Sequence, residues 1–205
     1  MAIPSSVTYE GKTYSVTAID EKAFYYCKGL TGVTIPESVK KIGANAFRNC
    51  AALTSLALPA GVTSIGYSAF FGCSGLTAFT LPAGVTAIEP YTFFGCKRMA
   101  SINLGGIKKI GGSAFAGCAA LTNVAIPANM GQIESYTFQN CTGLTAVTIP
   151  AGIVNVGDAA FQGCTGLKSV TIPEGVEQIG RATFEGCTGL TSLALPSTVK
   201  SLVGS

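Results

Sequence analysis

The sequence predicts a repeat solenoid, and three observations carry that prediction. Eight cysteines stand at 27, 50, 73, 96, 118, 141, 164 and 187, so every gap between them is 23 residues except one of 22. A fixed period in the range of about 20–50 residues is the mark of a stacked array. Second, the same apolar pattern returns around each cysteine. Third, the chain is 48% hydrophobic and only 11% charged, which suits a molecule whose every coil extends one continuous core. The apolar residues are scattered, with no run near the roughly 18 residues that a bilayer requires.

The first element, residues 1–17, stands outside the repeat. Val7-Thr-Tyr-Glu-Gly-Lys-Thr-Tyr-Ser-Val16 alternates β-formers around Glu10-Gly11 and reads as a hairpin, with Gly11 free to take positive φ. Its expected task is to cover the first coil, because an uncovered solenoid end exposes apolar side chains.

Residues 18–205 form the array, about eight coils with the last incomplete. One unit reads Leu-x-x-Val-x-Ile-Pro-x-x-Val-x-x-Ile-Gly-x-x-Ala-Phe-x-x-Cys plus two residues. The Leu-x-x-Val-x-Ile stretch alternates at period two and predicts a short strand, here called the leucine strand. The Pro that follows in seven of eight units ends it, because Pro removes a ladder donor. A second extended stretch, as in Val39–Ile42 or Val62–Ile65, predicts another short strand, here the isoleucine strand. The Phe and Cys stand three apart, which places both on one side of a single helical or 3₁₀ turn. Phe24, Phe47, Phe70, Phe93, Phe115, Phe138, Phe161 and Phe184 are then expected to stack as a spine. No coil buries its apolar face alone; stacking at about 4.8 Å between strands does so.

The pattern Leu-x-x-Leu-x-Leu is the core of a leucine-rich repeat, and the continuation Pro-x-x-Val-x-x-Ile-Gly-x-x-Ala-Phe-x-x-Cys closely resembles the BspA-like leucine-rich repeat family over residues 18–199. The resemblance implies a right-handed superhelix with a main parallel sheet, a second short sheet and a short helical turn per coil. It also implies a surface or secreted protein of a host-associated microbe, of the class described as adhesins. The partner implied is a host or matrix protein or a glycan.

One unit is irregular. Between Cys96 and Cys118 the Pro disappears into Leu104-Gly105-Gly106-Ile107, with Lys97, Arg98, Lys108 and Lys109 nearby. Two readings stand: a tolerated deletion beside solvated lysines, or a basic patch that docks an acidic partner. Tandem Lys40-Lys41 at the matching place in an earlier unit favours the first.

Catalytic and metal chemistry find little support. There is no histidine, which removes Ser-His-Asp and Cys-His machinery and the commonest metal ligand. The ten acidic residues are dispersed; Glu89 and Glu134 share a repeat position but lie two coils apart. No phosphate-binding loop appears, since the glycines follow the 23-residue period. One Cys per coil is unlike the close pairs that hold zinc. A buried ladder of free thiols is the expected state, with disulfides between neighbouring coils as the alternative. No enzyme, cofactor, nucleic-acid partner or membrane insertion is expected, and a net charge of +3 gives no reason for one.

The outward positions of the leucine strand supply the candidate partner-binding face: Thr34, Ser55, Thr80, Ser101, Asn103, Asn123, Thr148, Ser169, Thr171 and Ser192. This face is small, uncharged and free of the Trp, Tyr or Arg that a binding hot spot favours, so it suits extended low-affinity contact. Tyr25, Tyr26, Tyr67, Tyr91 and Tyr136 fall near the Ala-Phe turn, where they either wedge between coils or anchor a partner. Met1-Ala-Ile-Pro4 lacks a secretory signal, which fits a cytosolic or a trimmed protein equally, and the last unit stops before its Phe and Cys, so a segment of a longer protein is expected; the family resemblance implies that the full-length protein is extracellular or at the cell surface. The rival to a binding module is a structural spacer, or a scaffold that self-associates through an open C-terminal coil.

Overall fold

The computed structural model describes residues 1–202. It is a parallel β-solenoid: the chain climbs by one coil every 22 or 23 residues, and equivalent residues of successive coils lie beside one another. Each coil turns three corners, and the residue types dictate what each corner does.

The isoleucine strands are the regular rungs. Nine of them run from Ala18–Ile19 through Lys41–Ile42 and Ser64–Ile65 to Ser201–Leu202, and the eight up to Gln178–Ile179 carry one outward and one inward residue each. Among the described residues, the leucine strands, expected to form the main sheet, pair with one another only as Ala78–Phe79 with Ser101–Ile102 and as Ala146–Thr148 with Ser169–Thr171. Their balance is thus the reverse of the expected one. The Pro that ends each leucine strand limits its length. Amide bonds entering that edge are uneven, from 2.9 Å for Lys168 N–H to Thr145 O up to 3.4 Å for Thr122 N–H to Ala100 O and Thr145 N–H to Thr122 O, against 2.7–2.9 Å for most isoleucine rungs.

Side-chain size decides where the isoleucine ladder holds. The residue after each isoleucine is Gly at 43, 66, 111, 157 and 180, and a Cβ there would lie 2.5–2.6 Å from backbone of the preceding coil. These glycines let adjacent coils close to bonding distance, as in Gly157 N–H donating to Ile133 O at 2.8 Å. Glu89 and Glu134 occupy the same position, and the sheet is interrupted beneath each of them. Among the described residues, neither Glu amide bonds the preceding coil. The isoleucine sheet consequently divides into three blocks, of three, two and four strands. Both interrupted coils read Glu-x-Tyr-Thr-Phe, and their Thr92 and Thr137 hydroxyls donate to the Glu89 and Glu134 carbonyls at 2.7 Å.

The Ala-Phe-x-x-Cys corner is not helical, which corrects the expected helical turn. Two residues per coil take left-handed φ, for example Asn45 and Asn49, Tyr91 and Gly95, or Ala159 and Gly163. The physical reason is a division of labour among amides. Ala46, Arg48 and Cys50 donate locally to carbonyls three residues back, whereas Asn45, Phe47 and Asn49 donate to Tyr67, Ala69 and Phe71 of the next coil. A helix would turn all these bonds inward and leave the coils unlinked at this corner. Each non-glycine residue held at positive φ costs about 1–2 kcal/mol, which the inter-coil bond and the packing behind it offset.

Behind this corner the phenylalanines stack as expected, with ring centroids 5.0–5.7 Å apart and planes within 11° from Phe24 to Phe184. The cysteines lie alongside. Each thiol from Cys50 to Cys187 donates to the carbonyl of the Phe one coil earlier, at 3.0–3.3 Å. Buried Leu, Ile and Val from the two strand edges complete one core that runs the length of the array.

At the N-terminal end, Ser6–Tyr9 and Lys12–Ser15 form an antiparallel hairpin, and every residue of both strands is exposed. What packs on the first coil is the flanking chain: Ile3 and Val16 reach the core, and Ile3 N–H donates to Thr34 O while Thr34 N–H donates to Met1 O.

Candidate functional site

Every one of the ten strand-face positions is exposed: Thr34, Ser55, Thr80, Ser101, Asn103, Asn123, Thr148, Ser169, Thr171 and Ser192. Thr148 lies directly beside Thr171. The face is less flat than its composition suggests. A groove of about 560 Å³ runs from Ser55 to Pro82, and at Thr80 and Pro82 it meets a second, of about 370 Å³, lined farther on by Asn103 and Gly105-Gly106. The second marks the shortened coil. Ile107 N–H donates to Leu104 O, so Leu104 fills the roles that Leu and Pro share elsewhere, and Asn103 Oδ1 accepts from Gly105 N–H at 2.9 Å.

The four basic residues near that coil do not form one patch. Lys108 and Lys109 line a cleft of about 410 Å³ with Met130, Gln132 and Glu134, where the isoleucine ladder is interrupted. Lys97 lines a groove at the Phe-Cys corner instead, and Arg98 follows it there. All four are exposed.

The corner carries a surface that position-by-position sequence reading did not single out. The residue after each spine phenylalanine forms the column Tyr25, Arg48, Phe71, Phe94, Ala116, Gln139, Gln162 and Glu185, exposed at its two ends, half-buried between them and fully buried at Ala116. Arg48 lies on the face of Phe71 at 3.9 Å, and Phe71 stacks on Phe94 at 4.6 Å with planes 6° apart. Farther along, Gln139 Nε2 donates to Gln162 Oε1, and Gln162 Nε2 donates to Glu185. The column therefore changes from cationic and aromatic to polar and acidic. Charge follows the same gradient: residues 1–109 carry ten Lys or Arg against five Asp or Glu, and residues 110–205 carry three against five.

Tyr25, Tyr26, Tyr67, Tyr91 and Tyr136 are 38–49% exposed, so they project from this edge and do not wedge between coils. Tyr26, Lys28, Phe71, Phe94 and Lys97 line one groove of about 420 Å³. Its floor includes Gly72 and Gly95, both at positive φ, and Asn49 closes one end with Oδ1 2.1 Å from where a Cβ on Gly72 would lie. The signal for this column was present in the 23-residue alignment; its chemistry emerges only when Arg48, Phe71 and Phe94 are seen as neighbours.

The reactive groups of the chain are consumed in the core. Burial, reinforced by the neighbouring thiol, pushes Cys50 up to about 11 and Cys73 up to about 12. Cys96, Cys118 and Cys141 are raised well above the ordinary thiol range by the same desolvation. These thiols are protonated near neutral pH. Cys27, in the first coil, is exposed. Among the described residues, no cluster of three His, Cys, Asp or Glu converges as a metal site, and no helix is long and apolar enough to cross a membrane.

None of the curated proteins compared with the chain matches it. Solved structures do. A leucine rich repeat protein of T. pallidum is 29% identical over the whole chain and 84% of its own length, with a TM-score of 0.59. A leucine-rich repeat protein from Bacteroides ovatus, 24% identical over 97% of this chain and 75% of its own, has a TM-score of 0.52. One from Eubacterium ventriosum, 24% identical, aligns with 98% of this chain but 48% of its own, at 0.57. The latter two share the fold. Six copies of the repeat described as the BspA type leucine rich repeat region match over residues 17–145 and 132–204. With the phenylalanine spine, the cysteine column and the coil length all accounted for by that repeat, the chain belongs to the BspA-type leucine-rich repeat family.

Proposed function

We propose that the chain is a non-catalytic binding and adhesion module of a microbial surface or secreted protein, with a host or matrix protein or a glycan as its partner. The observation that carries this reading is the ridge of exposed Tyr26 and half-buried Arg48, Phe71 and Phe94, stacked on one another along one edge of the solenoid. Aromatic and Arg side chains held in place supply contact area at little entropic expense, which is what hot spots require. The Thr/Ser/Asn face of the leucine strands adds a second, flatter surface suited to extended contact. A chain without histidine whose buried thiols are protonated has little to offer catalysis.

The test is binding of the folded, monomeric protein to a panel of matrix proteins, mucins and glycans. Saturable binding that weakens when ridge residues, or Thr148 and Thr171, are replaced by Lys is the expected result. Absence of binding across the panel by a correctly folded protein refutes the reading and leaves a spacer or end-to-end stacking scaffold, which concentration-dependent sedimentation then separates.

A further inference from the structure

From the groove at the Phe-Cys corner we infer that its ligand is an anionic polysaccharide, a hexose chain bearing carboxylate or sulfate groups. This inference rests on the binding-module reading and names the ligand class of its aromatic ridge.

Charge comes first. Lys28 and Lys97 line the groove, Arg48 sits beside it on Phe71, and none of the lining residues is a carboxylate. Arg48 is half-buried: its Nη1 donates to Asn45 Oδ1 at 3.3 Å, and its Nε is buried without a hydrogen-bond partner among the described residues, so its charge acts on the groove from behind Phe71. The surrounding half of the chain is the basic half.

Ring orientation points the same way. Phe71 is covered on its faces by Arg48 and Phe94, so ring edges are what remain for a ligand. Aromatic edges carry the positive part of the quadrupole and receive anionic oxygen. A neutral sugar, which stacks on open ring faces, gains less here.

The backbone excludes an added peptide strand. Gly72 and Gly95 amides donate to Phe94 and Ala116 of the next coil, while their carbonyls accept from Ser74 and Lys97. A peptide lying in the groove finds no unpaired ladder groups, which strand addition needs. The groove instead offers side-chain partners, Asn49, Ser74 and Tyr26, suited to hydroxyl groups. Because Tyr26, Asn49, Gly72 and Gly95 are one column of the repeat, the groove follows the array axis and rises by about 4.8 Å per coil. A linear polymer with regularly spaced charge matches that course.

The probes are a heparin-derived hexasaccharide and a polygalacturonate hexamer, with neutral dextran oligosaccharide and poly-L-glutamate as comparisons, measured by calorimetry on the whole chain. Both anionic saccharides are expected to bind, dextran and poly-L-glutamate at least tenfold more weakly. The double variant Lys28→Glu with Lys97→Glu, both exposed positions, is expected to lose at least tenfold in affinity. Lys108→Glu with Lys109→Glu, at the other edge, is expected to bind as the parent does. Equal loss in both double variants, equal binding of poly-L-glutamate, or no saccharide binding by the folded protein overturns the inference. If saccharides fail while a matrix protein from the panel binds, this inference falls and the binding-module reading stands; if all fail, both fall.

Discussion

Gly157→Ala isolates the rule that glycine closes the isoleucine ladder. Gly157 does not have positive φ, so alanine is conformationally acceptable and only space is at issue. The new Cβ would lie 2.5 Å from Ser135 N, 2.8 Å from Glu134 C and 2.9 Å from Ser135 Cα, all backbone. The coil must move away, and two bonds at 2.8 Å, Gly157 N–H to Ile133 O and Val154 N–H to Gly131 O, are lost with it. Two hydrogen bonds at about 1 kcal/mol each and strain of about 1–3 kcal/mol, less about 0.5 kcal/mol from a stiffer unfolded chain, give a destabilisation of about 3 kcal/mol. Glu134→Ala, at the same repeat position where the ladder is already interrupted, is expected to change stability by less than about 0.5 kcal/mol. Urea titration followed by far-UV circular dichroism measures both, and hydrogen exchange at the Val154 and Gly157 amides locates the damage. A Gly157→Ala variant within about 0.5 kcal/mol of the parent, or an equal loss in Glu134→Ala, refutes the argument.

Raising the pH should unfold the chain through its thiols. Burial raises their pKa to about 11 at Cys50 and about 12 at Cys73 and Cys164, so above about 8.5 the unfolded state releases protons that the folded state keeps, and stability falls until the pH passes the folded values. Each such thiol contributes a loss of about 1.2 kcal/mol between pH ~8 and ~9.5, which urea midpoints across that range will show; flat midpoints contradict it. Iodoacetamide on the native protein should add to Cys27 alone, and to all eight cysteines in denaturant, as read by intact mass; several adducts in the native state contradict the ladder. Phe115→Ala in the middle of the spine should cost about 3–5 kcal/mol, and Phe184→Ala, which is only half-buried, clearly less by the same titration. Thr148→Lys with Thr171→Lys should leave stability within about 0.5 kcal/mol, because both side chains are exposed; a larger loss shows that the face has a packing role.

The sequence made the core legible because core positions are matters of period. Phe and Cys at a fixed offset had to share a side, and their columns appear as the spine and the thiol ladder. The corner that holds them was misread as helical because its conformation is imposed from outside the local sequence. Lys22, Tyr26, Tyr91 and Ala159 have no preference for positive φ, yet adopt it because alternate amides must reach the next coil. The ladder interruptions had a visible signal, since Glu89 and Glu134 share a position with five glycines, but the collision that gives the signal meaning involves backbone 22 or 23 residues away. Arg48, Phe71 and Phe94 were legible as a column and not as a surface: each is an unremarkable non-core residue until stacking brings it beside the next and half-buries it.

The two interruptions also set how the array bears load. Every internal junction shares the phenylalanine stack, but those beneath Glu89 and Glu134 lack the rungs of the isoleucine edge. A chain anchored at one end and pulled from the other will part first at these two seams, each bounded by intact strands, before any rung within a block gives way. Extension then comes in block-sized steps, and relaxation needs only that prebuilt faces meet again, since nearest-neighbour contact is all that a solenoid requires to reassemble. Two glutamates in a row of glycines thereby turn a uniform rod into a jointed one.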